Sequence, residues 1–232
     1  MSYLSIAIDG PVAAGKTTQA KALARRLEFV YVDTGAMYRA FAVHKLWLEK
    51  ESGHKIDIEG ALRTFDFDIV QAEDGQQHIF LWGKDITPQL RTPEVSMLAS
   101  QASAHPAVRE TLQNLQKVMP TMNHVVMEGR DIGTVIIPNA TLKVFLTAKA
   151  EVRAYRRWQE QRLHGVKDTY EETLALLQKR DYEDSHREIA PLKQADDAVL
   201  VDCTEMSIDE TTETILTLWD AKKPKWRSIS SC

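Results

Sequence analysis

The stretch LSIAIDGPVAAGKTT, Leu4 to Thr18, decides the fold. An apolar run, Leu4 to Ile8, leads into Gly10-Pro11-Val12-Ala13-Ala14-Gly15-Lys16-Thr17, and helix-forming residues from Thr18 to Leu27 follow. The middle segment matches G-x-x-x-x-G-K-[ST], and it sits where the mechanism of that motif requires, after a strand and before a helix. The glycines let the backbone curl so that successive N–H groups face a β-phosphate, and the amino end of the helix adds partial positive charge. Lys16 bridges phosphate oxygens, and Thr17 gives its hydroxyl to the Mg²⁺ that accompanies ATP. Gly10 through Thr18 is therefore predicted to be the ATP-binding loop.

Four further apolar runs follow at Phe29 to Val32, His124 to Met127, Leu142 to Leu146 and Ala198 to Val201. Mostly separated by helix-length segments, they predict a parallel sheet covered on both faces, with right-handed crossovers. Ligands bind at the carboxyl ends of such strands, so Gly10, Asp33, Glu128 and Thr147 are expected on one rim. Roughly 90 residues separate the second run from the third, far more than a crossover helix needs. After a helix from Ala36 to about Lys50, FDFDIV alternates Phe65, Phe67 and Ile69. Asp74-Gly75 then offers a turn, and HIFLWG runs back, which predicts a small antiparallel unit. Thr92-Pro93 supplies an N-cap and a first-turn proline, opening a helix that Pro106 interrupts and that resumes to about Val118. Later, Glu151 to Leu163 reads as a helix stopped by Gly165. Asp168 with Glu171 caps the next, which runs to about Arg187.

The division expected is a core at 1–54 and 92–222, a small β-domain at 55–91, a lid at about 150–168, and a tail at 223–232. A net charge of −4 on 232 residues argues against a general nucleic-acid binder, which needs a basic surplus. Phosphate binding must instead be local, as in the run RAYRRWQEQR, Arg153 to Arg162. No apolar run approaches a membrane span, and the amino terminus lacks a secretory pattern, so a cytoplasmic protein is expected. The two cysteines, Cys203 and Cys232, have no metal-ligand spacing and are expected to be free thiols.

A phosphate-binding loop alone leaves kinases, GTPases, motor ATPases and switches open. The chain has no N/T-K-x-D segment for reading guanine, and it is short for a motor, which favours a small kinase. At this point it resembles the bacterial cytidylate kinase family. The resemblance rests on DGPVAAGKTT, DTGAMYR, LRTPEVSMLASQASAHPAVRETL, EGRDIGTVIIPNA and QKRDYEDSHREIAPLKQADDA, in order along nearly the whole chain. It implies the P-loop nucleoside monophosphate kinase fold, an α/β fold with a five-stranded parallel sheet flanked by helices, a small antiparallel β insert and a helical lid. It implies an enzyme that moves the γ-phosphoryl group of ATP to CMP and dCMP; no association surface is legible in the sequence, and a monomer, the state that suits a lid-closing kinase, is expected.

The resemblance assigns Arg39, Arg130 and Arg187 to the acceptor phosphate, with Lys16, Arg130 and Arg187 as catalytic charges. It assigns Ser100, Arg109 and Asp131 to the cytosine edge, and Arg180 and Asp184 to the sugar. Arg153 and Arg157 match the lid that closes over ATP, and Thr34 stands where relatives also have serine, a hydroxyl for the acceptor phosphate. The family often has aspartate where this chain has Glu128; Glu128 and Asp33 are candidates for a carboxylate near Mg²⁺. The chemistry agrees with these residue types. A nucleoside monophosphate is largely dianionic at neutral pH and needs clustered cations rather than a general base. Planar guanidinium forks match phosphate oxygens, and a carboxylate at Asp131 can accept from the N4 amine of cytosine but faces the O4 of uracil acceptor to acceptor. Arg180, Asp184 and Arg187, at i, i+4 and i+7, share one helix face. Two alternatives remain open: a kinase of another acceptor such as uridylate or a metabolite hydroxyl, and an ATP-switched binding protein with no acceptor.

Overall fold

The computed structural model describes residues 3–72, 77–163 and 165–224. The five predicted runs all form strands, displaced by about a residue. They are β1 (Ser5–Asp9), β2 (Val30–Asp33), β6 (Val125–Gly129), β7 (Leu142–Thr147) and β8 (Val199–Asp202). They pair in the order β2-β6-β1-β7-β8, every neighbour parallel, so the strand that feeds the phosphate-binding loop lies at the centre. Both faces of the sheet are buried, which is why these strands read as apolar runs rather than alternating ones. On one side Ile6, Ile8, Leu142, Val144 and Leu146 pack with Leu23 of α1 (Lys16–Leu27) and with Ile215 and Trp219 of α8 (Ile208–Lys222). On the other, Ala7, Val32, Val125 and Met127 pack with Met37 and Phe41 of α2 (Thr34–Ser52) and with Val108 and Leu112 of α5 (Pro106–Val118).

The insert begins with α3 (Ile58–Leu62) and continues as a three-stranded antiparallel sheet in the order β3 (Phe67–Gln71), β4 (Gln77–Leu81) and β5 (Lys84–Asp85). The predicted turn at Asp74-Gly75 lies outside the described residues. The expectation that HIFLWG forms one strand is corrected: β4 stops at Leu81, and Trp82 and Gly83 take φ of 49° and 74°, the left-handed pair of a tight hairpin that adds β5. Ile79, Leu81 and Ile86 seat this sheet on Ala40 and Val43 of α2 and on Val95 and Ala99 of α4 (Pro93–Ser103). Two glutamines tie it to the edge of the main sheet. Gln71 Nε2 donates to the Tyr31 carbonyl at 2.6 Å, and Gln77 Oε1 accepts from the Asp33 N–H at 3.1 Å.

Thr92 caps α4 through Val95 N–H, with Pro93 in the first turn, and α5 starts at Pro106, both as predicted. The cap of α7 (Tyr170–His186) is one residue further on than expected. Thr169, not Asp168, accepts from Glu172 N–H, and Glu172 returns the bond to Thr169 N–H. A threonine followed by glutamate at N3 makes the reciprocal box that Asp168 and Glu171 do not form. α6 (Ala150–Leu163) ends before Gly165, whose φ is 76°. Cys203 is buried and free, while Cys232 and most of the tail lie outside the described residues. No helix among the described residues is long and apolar enough to cross a membrane.

Candidate active site

The carboxyl ends of β1, β2 and β6 open on one cleft of about 740 Å³, lined at one end by Val12 to Thr18 and at the other by Ser100, Arg109 and Asp131. Its size suits small-molecule ligands. Gly10 is required here by contact: a Cβ would sit 2.0 Å from the Leu146 carbonyl oxygen. Lys16 turns back under the loop, and its buried Nζ donates to the carbonyls of Gly10 and Pro11 at 2.8 and 2.6 Å. Burial first, and then the Arg130 charge, push this amine down to about 7. Lys16 is thus held beneath the loop by the Gly10 and Pro11 carbonyls, and Val12 to Thr18 line the cleft.

The end of β6 supplies the opposite wall. After Gly129, whose Cβ would meet Ile132 and the Thr34 hydroxyl within 3 Å, Arg130 and Asp131 lead into a single π-helical turn at Ile132–Ile136. The turn is fastened by Asp9, which accepts from the N–H groups of Ile132 and Gly133 at 2.8 and 2.7 Å. Sequence reading assigned Asp9 no part. Its carboxyl is pushed up to about 6, chiefly by burial, with the two N–H bonds opposing. A folded-state value above the ordinary one means that the folded chain binds the extra proton, so Asp9 costs stability as pH rises through roughly 4 to 6. We expect the unfolding free energy of Asp9→Asn, relative to the parent, to improve by on the order of 3 kcal/mol from pH 4 to pH 7. A flat difference in denaturant melts across that range would rule the linkage out.

Asp131 does not pair with its neighbour Arg130. Its Oδ2 accepts from Arg109 Nη2 and, at 3.3 Å, from Gln113 Nε2, and its Oδ1 lies 3.5 Å from Arg187 Nη2. Arg109 is itself fixed by the Ser103 carbonyl at 2.9 Å, so the carboxylate is clamped on one side and open to the cleft on the other. Arg130 instead reaches α7, where its Nε donates to Asp184 Oδ2 at 2.7 Å. Arg180, Asp184 and Arg187 all line the cleft, although Arg187 stands just past the helix end and donates from Nε to Ala190 O at 2.6 Å. Arg180 Nε and Arg39 Nε are buried without a partner. Burial, followed by Arg130, pushes Arg180 down to about 10. Cations so crowded and incompletely paired favour an anion.

Thr34 faces the cleft with its hydroxyl donating to the Glu128 carbonyl at 2.7 Å, and Arg39 is held by Asp33 at 2.7 Å. The Asp33 carboxylate also caps α2 through Ala36 N–H. Asp33, the last residue of β2, pairs in register with Glu128, the penultimate residue of β6, and both line the cleft with Thr17. Two carboxylates and a hydroxyl are hard oxygen donors, and no cluster of three or more His, Cys, Asp or Glu forms a metal cage among the described residues. That set fits Mg²⁺, which takes most of its ligands from water and phosphate oxygens.

The lid arginines divide. Arg157 lines the cleft, paired with Glu160 at 2.9 Å, and Glu160 also reaches Arg91 across the opening at 3.7 Å. Arg153 differs from the expectation. It is buried, does not line the cleft, and donates to Ala148 O, Val12 O and Asp181. Arg156 takes the place expected for it, lining the cleft with its guanidinium fixed on the Cys203 carbonyl at 2.8 Å. Its position three residues beyond Arg153 was visible in the basic run; which arginine faced the cleft was not.

The family model described as cytidylate kinase matches residues 6–221. The chain is 46% identical over 217 residues to the cytidylate kinase of Carboxydothermus hydrogenoformans, covering 92% of this chain and 96% of that one. It is 44% identical over 219 residues to the cytidylate kinase of Caldicellulosiruptor bescii, covering 94% and 96%. Among solved structures it is similar to an uncharacterized protein from Eubacterium ventriosum, with a TM-score of 0.53 at 13% identity over 95% of this chain and 99% of that one. At that identity the likeness concerns the fold alone.

Proposed function

The chain belongs to the cytidylate kinase family, and from that premise we propose how its own residues transfer the γ-phosphoryl group of ATP to CMP, and to dCMP. One observation carries the reading: a single cleft joins the phosphate-binding loop to a knot of arginines, Arg39, Arg130, Arg180 and Arg187, and ends on the clamped carboxylate of Asp131. The loop, Thr18 and the lid residues Arg156 and Arg157 take ATP. Lys16 moves from the loop carbonyls to phosphate oxygens when nucleotide replaces water. Thr17, with Glu128 or Asp33 nearby, would hold Mg²⁺, which would supply positive charge to offset that of the triphosphate.

Arg39, Arg130 and Arg187, with the Thr34 hydroxyl, receive the acceptor phosphate. Bringing that dianion to the γ-phosphate costs Coulomb repulsion, and buried guanidiniums offset it more strongly than exposed ones. Arg180 and Asp184 take the sugar. Ser100, Arg109 and Asp131 read the base; the side of Asp131 left open by Arg109 accepts from the cytosine N4 amine. Closure of residues about 150–168 excludes water that would otherwise hydrolyse ATP; the Arg91–Glu160 contact already spans the opening. We assign the enzyme to the cytoplasm as a monomer, with residues 55–91 shaping the acceptor wall.

The test is ADP release from ATP and Mg²⁺ with CMP, dCMP, UMP or no acceptor. The parent should prefer CMP, and Asp131→Ala should narrow the CMP-over-UMP ratio in kcat/KM by about 10- to 100-fold, the worth of one base contact. A UMP preference in the parent would favour the uridylate reading. ADP release equal with and without acceptor sinks the kinase assignment.

A further inference from the structure

Both backbone polar groups of Val12, at the apex of the phosphate-binding loop, are held by the helices of the lid side. Its N–H donates to Asp181 Oδ1 at 3.1 Å, and its carbonyl accepts from Arg153 Nη1 at 2.9 Å. The same Arg153 nitrogen donates to Asp181 Oδ2 at 2.7 Å, and Arg153 Nε donates to the Ala148 carbonyl at 2.7 Å. Arg153 belongs to α6 and Asp181 to α7, immediately after Arg180 and three residues before Asp184. Neither lines the cleft.

The residue after Val12 explains why such a grip is needed. Ala13 has φ of 57°, a left-handed conformation in which the Cβ crowds the following carbonyl. A non-glycine residue stays there only when its surroundings over-determine it. From beneath, Lys16 ties down Gly10 and Pro11. From above, the Arg153–Asp181 pair fixes Val12. The loop is therefore shaped before any nucleotide arrives, and its shape is tied to the helix that carries Arg180 and Asp184.

We infer that Arg153 and Asp181 are positioning residues, which hold the donor loop in its ATP-receiving form. The inference rests on ATP binding at this loop, but not on which acceptor is used. It goes beyond the proposed roles because these two side chains act through Val12 and touch neither substrate.

The experiment compares Arg153→Met, Asp181→Ala and the double variant, with Arg153→Lys and Asp181→Asn as milder changes should the first pair fold poorly. Equilibrium titration with a non-hydrolysable ATP analogue gives a readout that needs no acceptor, and steady-state kinetics gives KM for ATP and CMP separately. Loss of a charge-assisted bond should weaken analogue binding by about tenfold in each single variant, with KM for CMP changed by less than about twofold. The double variant should be no weaker than the worse single one, because both changes remove one device. Losses that multiply in the double variant, fall equally on ATP and CMP, or leave analogue affinity unchanged overturn the inference. If CMP is not phosphorylated but the analogue titrations behave as stated, the positioning role stands and the acceptor assignment falls.

Discussion

Lys16→Met should lower kcat for CMP phosphorylation by on the order of a thousandfold, while the melting temperature stays within a few degrees of the parent or rises. The two halves of this expectation have one cause. Lys16 is buried, and its amine is pushed down to about 7, first by burial and then by Arg130, with Glu128 and Asp184 opposing. A lysine whose folded-state value lies below its ordinary one is disfavoured as a cation by folding. The folded chain binds fewer protons than the unfolded chain between about 7 and the ordinary value of 10.5, so the buried charge costs stability at neutral pH. Methionine removes that cost and keeps much of the volume, at the loss of two bonds to the Gly10 and Pro11 carbonyls. What disappears outright is the cation that meets transferring phosphate oxygens. A site that destabilises the fold is retained for its chemistry. The check is a melt and an ADP-release assay on the same preparation; a Lys16→Met enzyme with near-parental kcat would remove Lys16 from catalysis.

How far the sequence carried this reading depends on the range of each interaction. The phosphate-binding loop and the caps at Thr92-Pro93 were legible because each is a local bargain between neighbouring backbone and side-chain groups. The apolar runs of β1, β6 and β7 were legible because a strand covered on both faces has no polar side to show. Trp82 hid its turn because an aromatic residue with positive φ is costly, and the pattern of β4 encouraged extension through it. The cap at Thr169 was misread by one residue because Asp168 offers the same chemistry, and only the reciprocal bond to Glu172 separates them. Long-range choices were the least legible. Nothing local says that Asp131 pairs with Arg109 rather than Arg130, that Asp9 fastens the turn after Asp131, or that Arg153 faces Val12 while Arg156 faces the cleft. The roles of the arginines were legible as a class, from their number and residue type, and their partners were set by packing.

The Arg130–Asp184 pair allows stability and chemistry to be separated. Burial pushes the Asp184 carboxyl up, but Arg130 beside it, with help from Arg180 and Arg187, outweighs burial and holds the carboxyl below its ordinary range. A depressed value means a contribution to stability that is present above the ordinary carboxylate range and is lost as pH falls through the folded-state value. Arg130→Met removes the nearest compensating charge and leaves Asp184 buried, so it should cost about 3 kcal/mol near pH 7. The cost should shrink as pH falls through the carboxylate range, and it should be fully gone only below the depressed folded-state value, where Asp184 is protonated in both chains. Adding Asp184→Asn removes the stranded charge, and Arg130→Met/Asp184→Asn should regain most of the lost stability. Activity should not follow. Arg130 meets the acceptor dianion in the proposed reaction, and kcat/KM for CMP should remain lower by on the order of 100- to 1000-fold in both variants. If the double variant recovered turnover together with its melting point, Arg130 would serve the reaction only by holding α7 in place. Recovery of stability without turnover, with kcat/KM well below that of Asp184→Asn alone, assigns the guanidinium itself to the acceptor phosphate.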